Sequence, residues 1–363
     1  LEAAECLGAK FFTRFKTITF PHLKPYLVRS IALVALEVYG DFGASSLFGV
    51  NTISTSIYKV WSSLFSLETA SQIATFAIIL VFFLYYFEGY SNHSPPNNNM
   101  LKTFEKKNVK KNISILLFLF CFFIFFISFV VPLGWMLLMV MKSNDTILFD
   151  VYSVVCSSLL ICLLTSLIVM VVSCLVNIKE RAERGKNYLL HHLIKFGYAV
   201  PPTVIAIGVI SVFSWLTNYL DNIFNGFNFP MLSCLIFGLT VRFMIIGHSY
   251  LSSSFLSINY NLDEMGFLCG ASKFNVFKRI HFPLISKGLC VGFVVGFIDC
   301  LKETPITLMT RPIGWDTFSV KVFEYTSESD WVMAVYPSLA LSFFVFLLLL
   351  VSNSFIGENF FSS

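Results

Sequence analysis

Long apolar stretches alternate with short polar ones along the chain. Eight of the apolar stretches can cross a bilayer: about 27–47, 69–88, 113–141, 151–176, 196–217, 230–250, 286–304 and 334–355. A spanning helix needs roughly 17–25 mostly apolar residues, allowing for tilt or a ragged end. The pattern predicts an all-α polytopic membrane protein of about eight transmembrane helices. Two of the polar stretches are copies of each other. EAAECLGAKFFTRFKTITFP, Glu2 to Pro21, recurs 262 positions later as EMGFLCGASKFNVFKRIHFP, Glu264 to Pro283. Aligned without gaps, nine of the twenty positions are identical: Glu2/Glu264, Gly8/Gly270, Ala9/Ala271, Phe12/Phe274, Phe15/Phe277, Lys16/Lys278, Ile18/Ile280, Phe20/Phe282 and Pro21/Pro283. A repeat at fixed offset says more than any single residue.

Each copy predicts a short helix, a sharp turn and a second helix. Gly8 and Gly270 suit the turn, because glycine accepts the left-handed conformation that ends helices. Phe12, Phe15 and Ile18, like Phe274, Phe277 and Ile280, recur at three-residue spacing and give the second helix an apolar face. Pro21 and Pro283 are expected to end it before the next span. A single stretch of this kind would read equally as an amphipathic membrane-surface loop. Two copies in register point instead to two equivalent docking surfaces for a soluble partner. The repeat also runs on: Glu37 aligns with Asp299 and Asp41 with Glu303. After a three-residue insertion, Gly49, Asn51, Thr52 and Ser54 align with Gly314, Asp316, Thr317 and Ser319.

Composition agrees with the apolar pattern. Hydrophobic residues make up 56% and charged residues 13%, about half the charge of a soluble domain. Basic residues divide by membrane side. The segments 1–26, 89–112, 177–195 and 251–285, with Arg29 and Lys287, hold 19 of the 25 lysines and arginines, whereas the opposite loops hold four: Lys59, Lys142, Arg311 and Lys321. The positive-inside rule puts both copies in the cytoplasm. Six predicted spans separate them, an even number, which agrees. Nothing in this charge distribution suggests a nucleic-acid partner. The nine cysteines show no paired spacing and are expected to be free thiols.

Ionisable residues in or beside spans are costly and usually functional. Glu37, Asp41, Asp299, Lys302 and Glu303 cluster on the outer half of two repeat-related spans. They are candidates for a translocation path or gate, with an internal Asp299–Lys302 ion pair as the alternative for that couple. Arg242, with no acid near it in sequence, is expected to snorkel or to meet an acid of another helix. The histidines His22, His93, His191, His192, His248 and His281 suggest no metal site.

The spacing Glu-Ala-Ala, three residues, Gly, nine residues, Ile, one residue, an apolar residue and Pro resembles the EAA loop of binding-protein-dependent ABC importers. The first copy fits with Phe20 where Leu is usual, and the second has Met265 and Gly266 in place of two alanines. The strings GYAVPPTVIAIG (197–208), LKETPITLMTRPIGWDTFSVKVFEYTSESDW (301–331) and GDFGASSLFGVNTISTSIYKVW (40–61) resemble the fused two-module permeases of the ferric-iron branch. Pro202 departs from that branch, which more often has Gly there. The resemblance implies the type I importer permease fold and a translocation path walled by two pseudo-symmetric modules. It implies a periplasmic substrate-binding protein and two copies of a cytoplasmic ABC ATPase, in a bacterial inner membrane. ATPase coupling would pass through Glu2, Ala3, Ala4, Gly8 and Pro21 in one loop and Glu264, Gly270 and Pro283 in the other. Thiamine or an inorganic oxyanion is the alternative cargo.

The chain contains no GxxxxGK[ST] phosphate loop, so ATP hydrolysis is expected from a separate subunit, with no cofactor here. An ion-coupled transporter or channel would predict mid-span acids and no paired docking loops. The expected organisation is a partial first module (1–88), a cytoplasmic linker (89–112), a second module (113–355) and a tail (356–363). Symmetry predicts about four further spans, on the order of 150 residues, upstream of Leu1.

Overall fold

The computed structural model describes Ala4 and residues 8–90, 111–142, 151–183, 188–224 and 230–356, and the regular elements among them are helices. The chain opens with α1 (Phe11–Arg14), a π-helical turn π1 (Phe15–Thr19) and α2 (Phe20–Gly40). The short α3 (Gly43–Leu47), then α4 (Ile53–Ser63) and α5 (Leu67–Tyr90), come next. A continuous rod follows, made of α6 (Lys111–Phe125), π2 (Phe126–Val130) and α7 (Val131–Lys142). After it lie α8 (Val151–Ala182), α9 (Tyr188–Ala199), α10 (Pro202–Phe224) and α11 (Met231–Leu256). The second motif copy comprises α12 (Asn261–Leu268), α13 (Lys273–Val276), π3 (Phe277–His281) and the start of α14 (Phe282–Lys302). The chain continues through α15 (Pro305–Thr310), α16 (Phe318–Ser327) and α17 (Trp331–Ile356).

Seven helices among the described residues are long and apolar enough to cross a membrane: Leu67–Tyr86, Ser114–Lys142, Tyr152–Ala182, Pro202–Asp221, Met231–Leu256, Lys273–Lys302 and Trp331–Leu350. The apolar stretches predict eight, and 27–47 accounts for the difference. The helix there stops at Gly40, and α2 carries Lys24, Arg29 and Glu37, too many charges for an apolar span. Yet α2 and α14 begin and end 262 positions apart, both 21 residues long. α2 is therefore the repeat partner of a spanning helix, made more polar.

The expectation that Pro21 and Pro283 end a helix is wrong. The chain stays helical through both, and in each case a five-residue π turn ends two residues before the proline. Pro132 stands in the same relation to π2. Proline has no N–H, and its ring crowds the carbonyl four residues back. In a π turn the hydrogen bond reaches back five residues and the helix widens, as when the Phe282 N–H bonds to the Phe277 carbonyl. The wider turn makes room for the ring, so the helix continues. Farther along, the break after Val200 lets Pro202 open α10 as its first residue, where a missing N–H costs nothing.

By internal packing the chain forms two units, Leu1–Val38 with Leu80–Asp145, and Tyr39–Ile79 with Thr146–Ser363. In the first, the α6–α7 rod carries exposed apolar side chains such as Leu116, Phe118 and Phe123. Its phenylalanines line up along one face, with Phe118 and Phe122 ring centroids 6.4 Å apart and Phe125 and Phe129 at 5.6 Å. In the second unit α8, α11 and α14 pack together, burying Leu235, Leu239, Leu251 and Ile285 completely. Buried hydroxyls turn back onto their own helices: Ser158 Oγ donates to the Val154 carbonyl at 2.7 Å and Ser166 Oγ to Cys162 at 2.6 Å.

Glycines permit the closest approaches. A Cβ on Gly288 would stand 3.1 Å from both the Tyr250 carbonyl oxygen and Ser254 Cβ. Gly288→Val is expected to overpack α11 against α14 and destabilise the fold by about 1–3 kcal/mol. Gly208→Val, where a Cβ meets nothing within 4 Å, is expected to leave the melting temperature nearly unchanged. Thermal unfolding of the detergent-solubilised protein checks both.

Candidate functional site

The two motif copies have the same local geometry. Gly8 and Gly270 both have positive φ, +73° and +77°, and a Cβ on either would meet nothing within 4 Å. Glycine is thus required by backbone conformation alone. The N–H of Ala9 bonds back to the Ala4 carbonyl at 3.0 Å, and that of Ala271 to the Gly266 carbonyl at 3.1 Å. These four residues are repeat equivalents, so each turn is closed by the same bond. Ser272 then caps α13, its hydroxyl accepting from the Asn275 N–H at 3.3 Å. Glu2 and Ala3 lie outside the described residues.

The second copy is a helical hairpin whose arms meet at a small residue. A Cβ on Gly266 would stand 3.1 Å from Val276 Cγ2 and 3.3 Å from Ile280 Cδ1, so the departure from Ala lets α12 press onto the second arm. The three residues expected to share an apolar face do not share a role. Phe277 packs on the core made by Met170, Leu251, Phe255, Ile258 and Ile285, and Ile280 is half-buried, while Phe274 is 68% exposed. Its repeat partner Phe12 is 76% exposed. Met265 and Leu268 add to the bare surface beside Phe274. Glu264 is exposed, and Pro21 and Pro283 sit in the helices beyond the turns.

One polar cluster beneath this hairpin was missed in the sequence. Arg181, near the end of α8, donates through Nε to Asp263 Oδ2 at 2.7 Å. Its Nη1 reaches the carbonyls of Phe255 at 2.9 Å and Ile258 at 3.1 Å, and Nη2 that of Asn259 at 3.3 Å. The guanidinium also lies over the Tyr260 ring, 4.6 Å from its centroid. From the other side, His281 Nε2 stands 2.8 Å from Asp263 Oδ1, its ring held edge-on by Phe255 at 5.6 Å. Burial alone would raise the Asp263 pKa. The hydrogen bonds and charges of Arg181 and His281 outweigh it and hold the carboxyl below its usual range. The stabilisation linked to that shift is present at neutral pH and fades as pH falls through the depressed value. Asp263 stands one residue before the motif glutamate, the only hint the sequence offers.

A second cluster joins histidines that look scattered in sequence. His248, fully buried, lies 3.1 Å through Nδ1 from Asn177 Nδ2 and 3.2 Å through Nε2 from His191 Nδ1. Asn177 Nδ2 also donates to the Ser173 carbonyl at 2.8 Å. Burial, then Lys195 and His192, push the His191 pKa down. Among the described residues no group of three His, Cys, Asp or Glu side chains could hold a metal ion.

The candidate path residues divide. Asp299 pairs with Lys302 at 2.6 Å, both partly exposed. Glu303 is buried, and its carboxylate accepts from the N–H groups of Ile306 at 3.0 Å and Thr307 at 3.1 Å and from the Thr307 hydroxyl at 3.1 Å. It closes the turn into α15 and feels the charge of Arg242, which also bonds the Val200 carbonyl at 3.4 Å. Asp41, its repeat partner, is exposed at the end of α2, and Glu37 is exposed on α2. The aligned segments meet directly: the repeat equivalents Tyr58 on α4 and Phe323 on α16 touch edge to face, 5.8 Å apart at 89°. Phe42 packs on both at 5.3 and 5.4 Å. The Tyr58–Phe323 contact thus joins aligned positions of the two copies. Beside it Arg311 bonds Asp316 and Glu324, and Lys321 reaches the same acids at 2.7 and 2.9 Å.

Residues 184–357 match the family described as the binding-protein-dependent transport system inner membrane component. Along almost its whole length the chain is similar to Fe(3+)-transport system permease protein FbpB 2 of Haemophilus influenzae, 25% identical over 94% of this chain and 68% of that protein. It is 24% identical to ferric transport system permease protein FbpB of Actinobacillus pleuropneumoniae, over 44% of this chain and 24% of that protein. Maltose/maltodextrin transport system permease protein MalG of Photorhabdus laumondii is 23% identical over 43% of this chain and 51% of that protein. The chain thus spans about half or less of the length of the last two. A crystal structure of a bacterial ABC transporter involved in the import of the acidic polysaccharide alginate is 16% identical, with a TM-score of 0.48, over 70% of this chain and 98% of that one. Permeases of this family have no catalytic activity of their own.

Replacing Glu303 by Ala is expected to strand two buried N–H groups and cost about 1–3 kcal/mol, with Glu303→Gln milder. Asp299→Asn, at a partly exposed pair, is expected to cost under about 1 kcal/mol. Thermal unfolding of the three variants checks the order.

Proposed function

We propose that the chain is the membrane-spanning permease of an ATP-binding-cassette importer for ferric iron, with both repeated loops docking on a cytoplasmic ATPase. The observation that carries the docking role is the repeated turn, in which the left-handed glycine, the closing hydrogen bond and the π segment recur at one offset. Each turn presents an exposed phenylalanine, Phe12 or Phe274, to a partner. In this reading α2 crosses the membrane as α14 does, which keeps the two loops on the cytoplasmic side. The chain then comprises part of a first module (1–88), a linker (89–112) and a second module (113–355). Two ATPase copies would take one loop each, and a periplasmic binding protein would deliver cargo to the outer face around Tyr58 and Phe323. Ferric iron is supported by the relative matched over 94% of this chain and by the string at 301–331. Asp41 and the Asp299–Lys302 pair line the proposed path, with Glu303 shaping its wall.

The test reconstitutes the permease with its ATPase and binding protein in liposomes and follows radiolabelled ferric iron against ATP hydrolysis. Gly8→Val and Gly270→Val are each expected to lower uptake about tenfold while membrane insertion persists, as about 1–2 kcal/mol of left-handed strain implies. Gly270→Asn, which tolerates that conformation, is expected to retain most uptake. Cysteines at Ala9 and Ala271 are expected to cross-link to the ATPase. Uptake of thiamine or an oxyanion in place of iron would reassign the cargo, and equal activity of the Val and Asn variants would remove the turn from the mechanism.

A further inference from the structure

The second loop is braced in a way that the first cannot copy. Its two arms, α12 and α13–π3, touch near the turn at Gly266, and Asp263 and His281 join them a second time. These lie 18 positions apart, one on each arm, and their bond closes the hairpin at the end opposite the turn. Arg181 fixes the closed hairpin to the end of α8. Four of its donor bonds are accounted for, one to Asp263 and three to the carbonyls that end α11. An exposed ion pair would add little, but the side chains of Arg181 and Asp263 are only 5% and 16% exposed. A planar five-donor group makes this fit, and a lysine could not reproduce it. A load on the bare tip around Leu268 and Phe274 therefore passes into α8 and α14 rather than bending the turn.

In the first copy, the positions equivalent to Asp263 and His281 are Leu1 and Thr19. Neither can form an ionic closure. We propose that Arg181, Asp263 and His281 are positioning residues that make the second loop a stiff lever, so that the two loops transmit ATPase movement unequally. This rests on the docking role proposed above. The first loop holds its ATPase copy compliantly, and the second converts closure of the ATPase dimer into movement of α8 and α14.

The experiment uses the permease with its ATPase and binding protein in lipid nanodiscs and liposomes, reading uptake per ATP hydrolysed. Asp263→Asn and Arg181→Lys are each expected to lower that ratio about fivefold or more, with ATP hydrolysis and the Ala9 cross-link retained. Asp263→Glu, which keeps the charge, is expected to recover part of the ratio, and Thr19→Ala in the first loop to leave it unchanged. A ratio within about twofold of the unsubstituted protein in both Asp263→Asn and Arg181→Lys would overturn the lever. So would an equal fall on Thr19→Ala. Should the Asp263 variants fail to assemble, a spin-labelled unnatural residue at Ala9 or Ala271 in the otherwise unsubstituted complex decides. The lever requires lower mobility at Ala271, and equal mobility overturns it. Absence of ATPase cross-links from both loops of the unsubstituted complex would instead remove the docking role, and the lever with it.

Discussion

Inside a bilayer no water is available to a backbone N–H or carbonyl, so each must find its partner within the protein. Much of this structure follows from that demand. Helices are the regular elements, and serines in the span cores spend their hydroxyls on carbonyls one turn back. Among the prolines that long helices accommodate, Pro21, Pro132 and Pro283 each follow a π turn that keeps the ladder going, while Pro25 and Pro337 sit inside helices without one. Where the chain does leave a helix, a side chain steps in: Glu303 accepts the N–H groups at the start of α15, and Arg181 takes the carbonyls at the end of α11. Polar groups that look out of place in an apolar sequence are the ones completing these connections.

The repeat was legible in the sequence because it is local. Twenty aligned residues specify a turn, a cap and a helix start, and the equivalent turns have glycines at φ +73° and +77°. The outer segment was legible too: Thr52 and Thr317 stand immediately before α4 and α16, as the inserted alignment requires. Less legible were features whose cause lies in the energy balance of a helix. A proline normally signals a stop, and at Pro21, Pro132 and Pro283 a neighbouring π turn reverses that meaning. Lys24, Arg29 and Glu37 weigh against a span at 27–47, whereas the match of α2 to α14 becomes visible only with both ends known. Least legible was the brace of Arg181, Asp263 and His281, because its members are 82 and 18 positions apart and belong to no spaced pattern.

The two loops and the outer segments show different fates for duplicated structure. Between α4 and α16, Tyr58 and Phe323 touch at aligned positions, so here the copies meet at positions they share. At the loops the shared part is the turn, while the residues of the Asp263–His281 bond are replaced by Leu1 and Thr19 in the first copy. Symmetry is kept where the halves meet one another. It is relaxed where each half meets its own span.

The π turns also fix an angle. One residue more than an α-helical turn needs is inserted between each loop and the helix beyond it. Deleting a single residue from Phe277–His281 would leave an ordinary helix of good length, yet rotate everything on one side by about 100° about the axis. Phe274 would then leave its outward bearing, and His281 its alignment with Asp263. The segment behaves as a phase setting in the chain. A gene copy could change nearly every side chain there and stay in tune, but could not gain or lose one codon, and the two twenty-residue copies align without a gap.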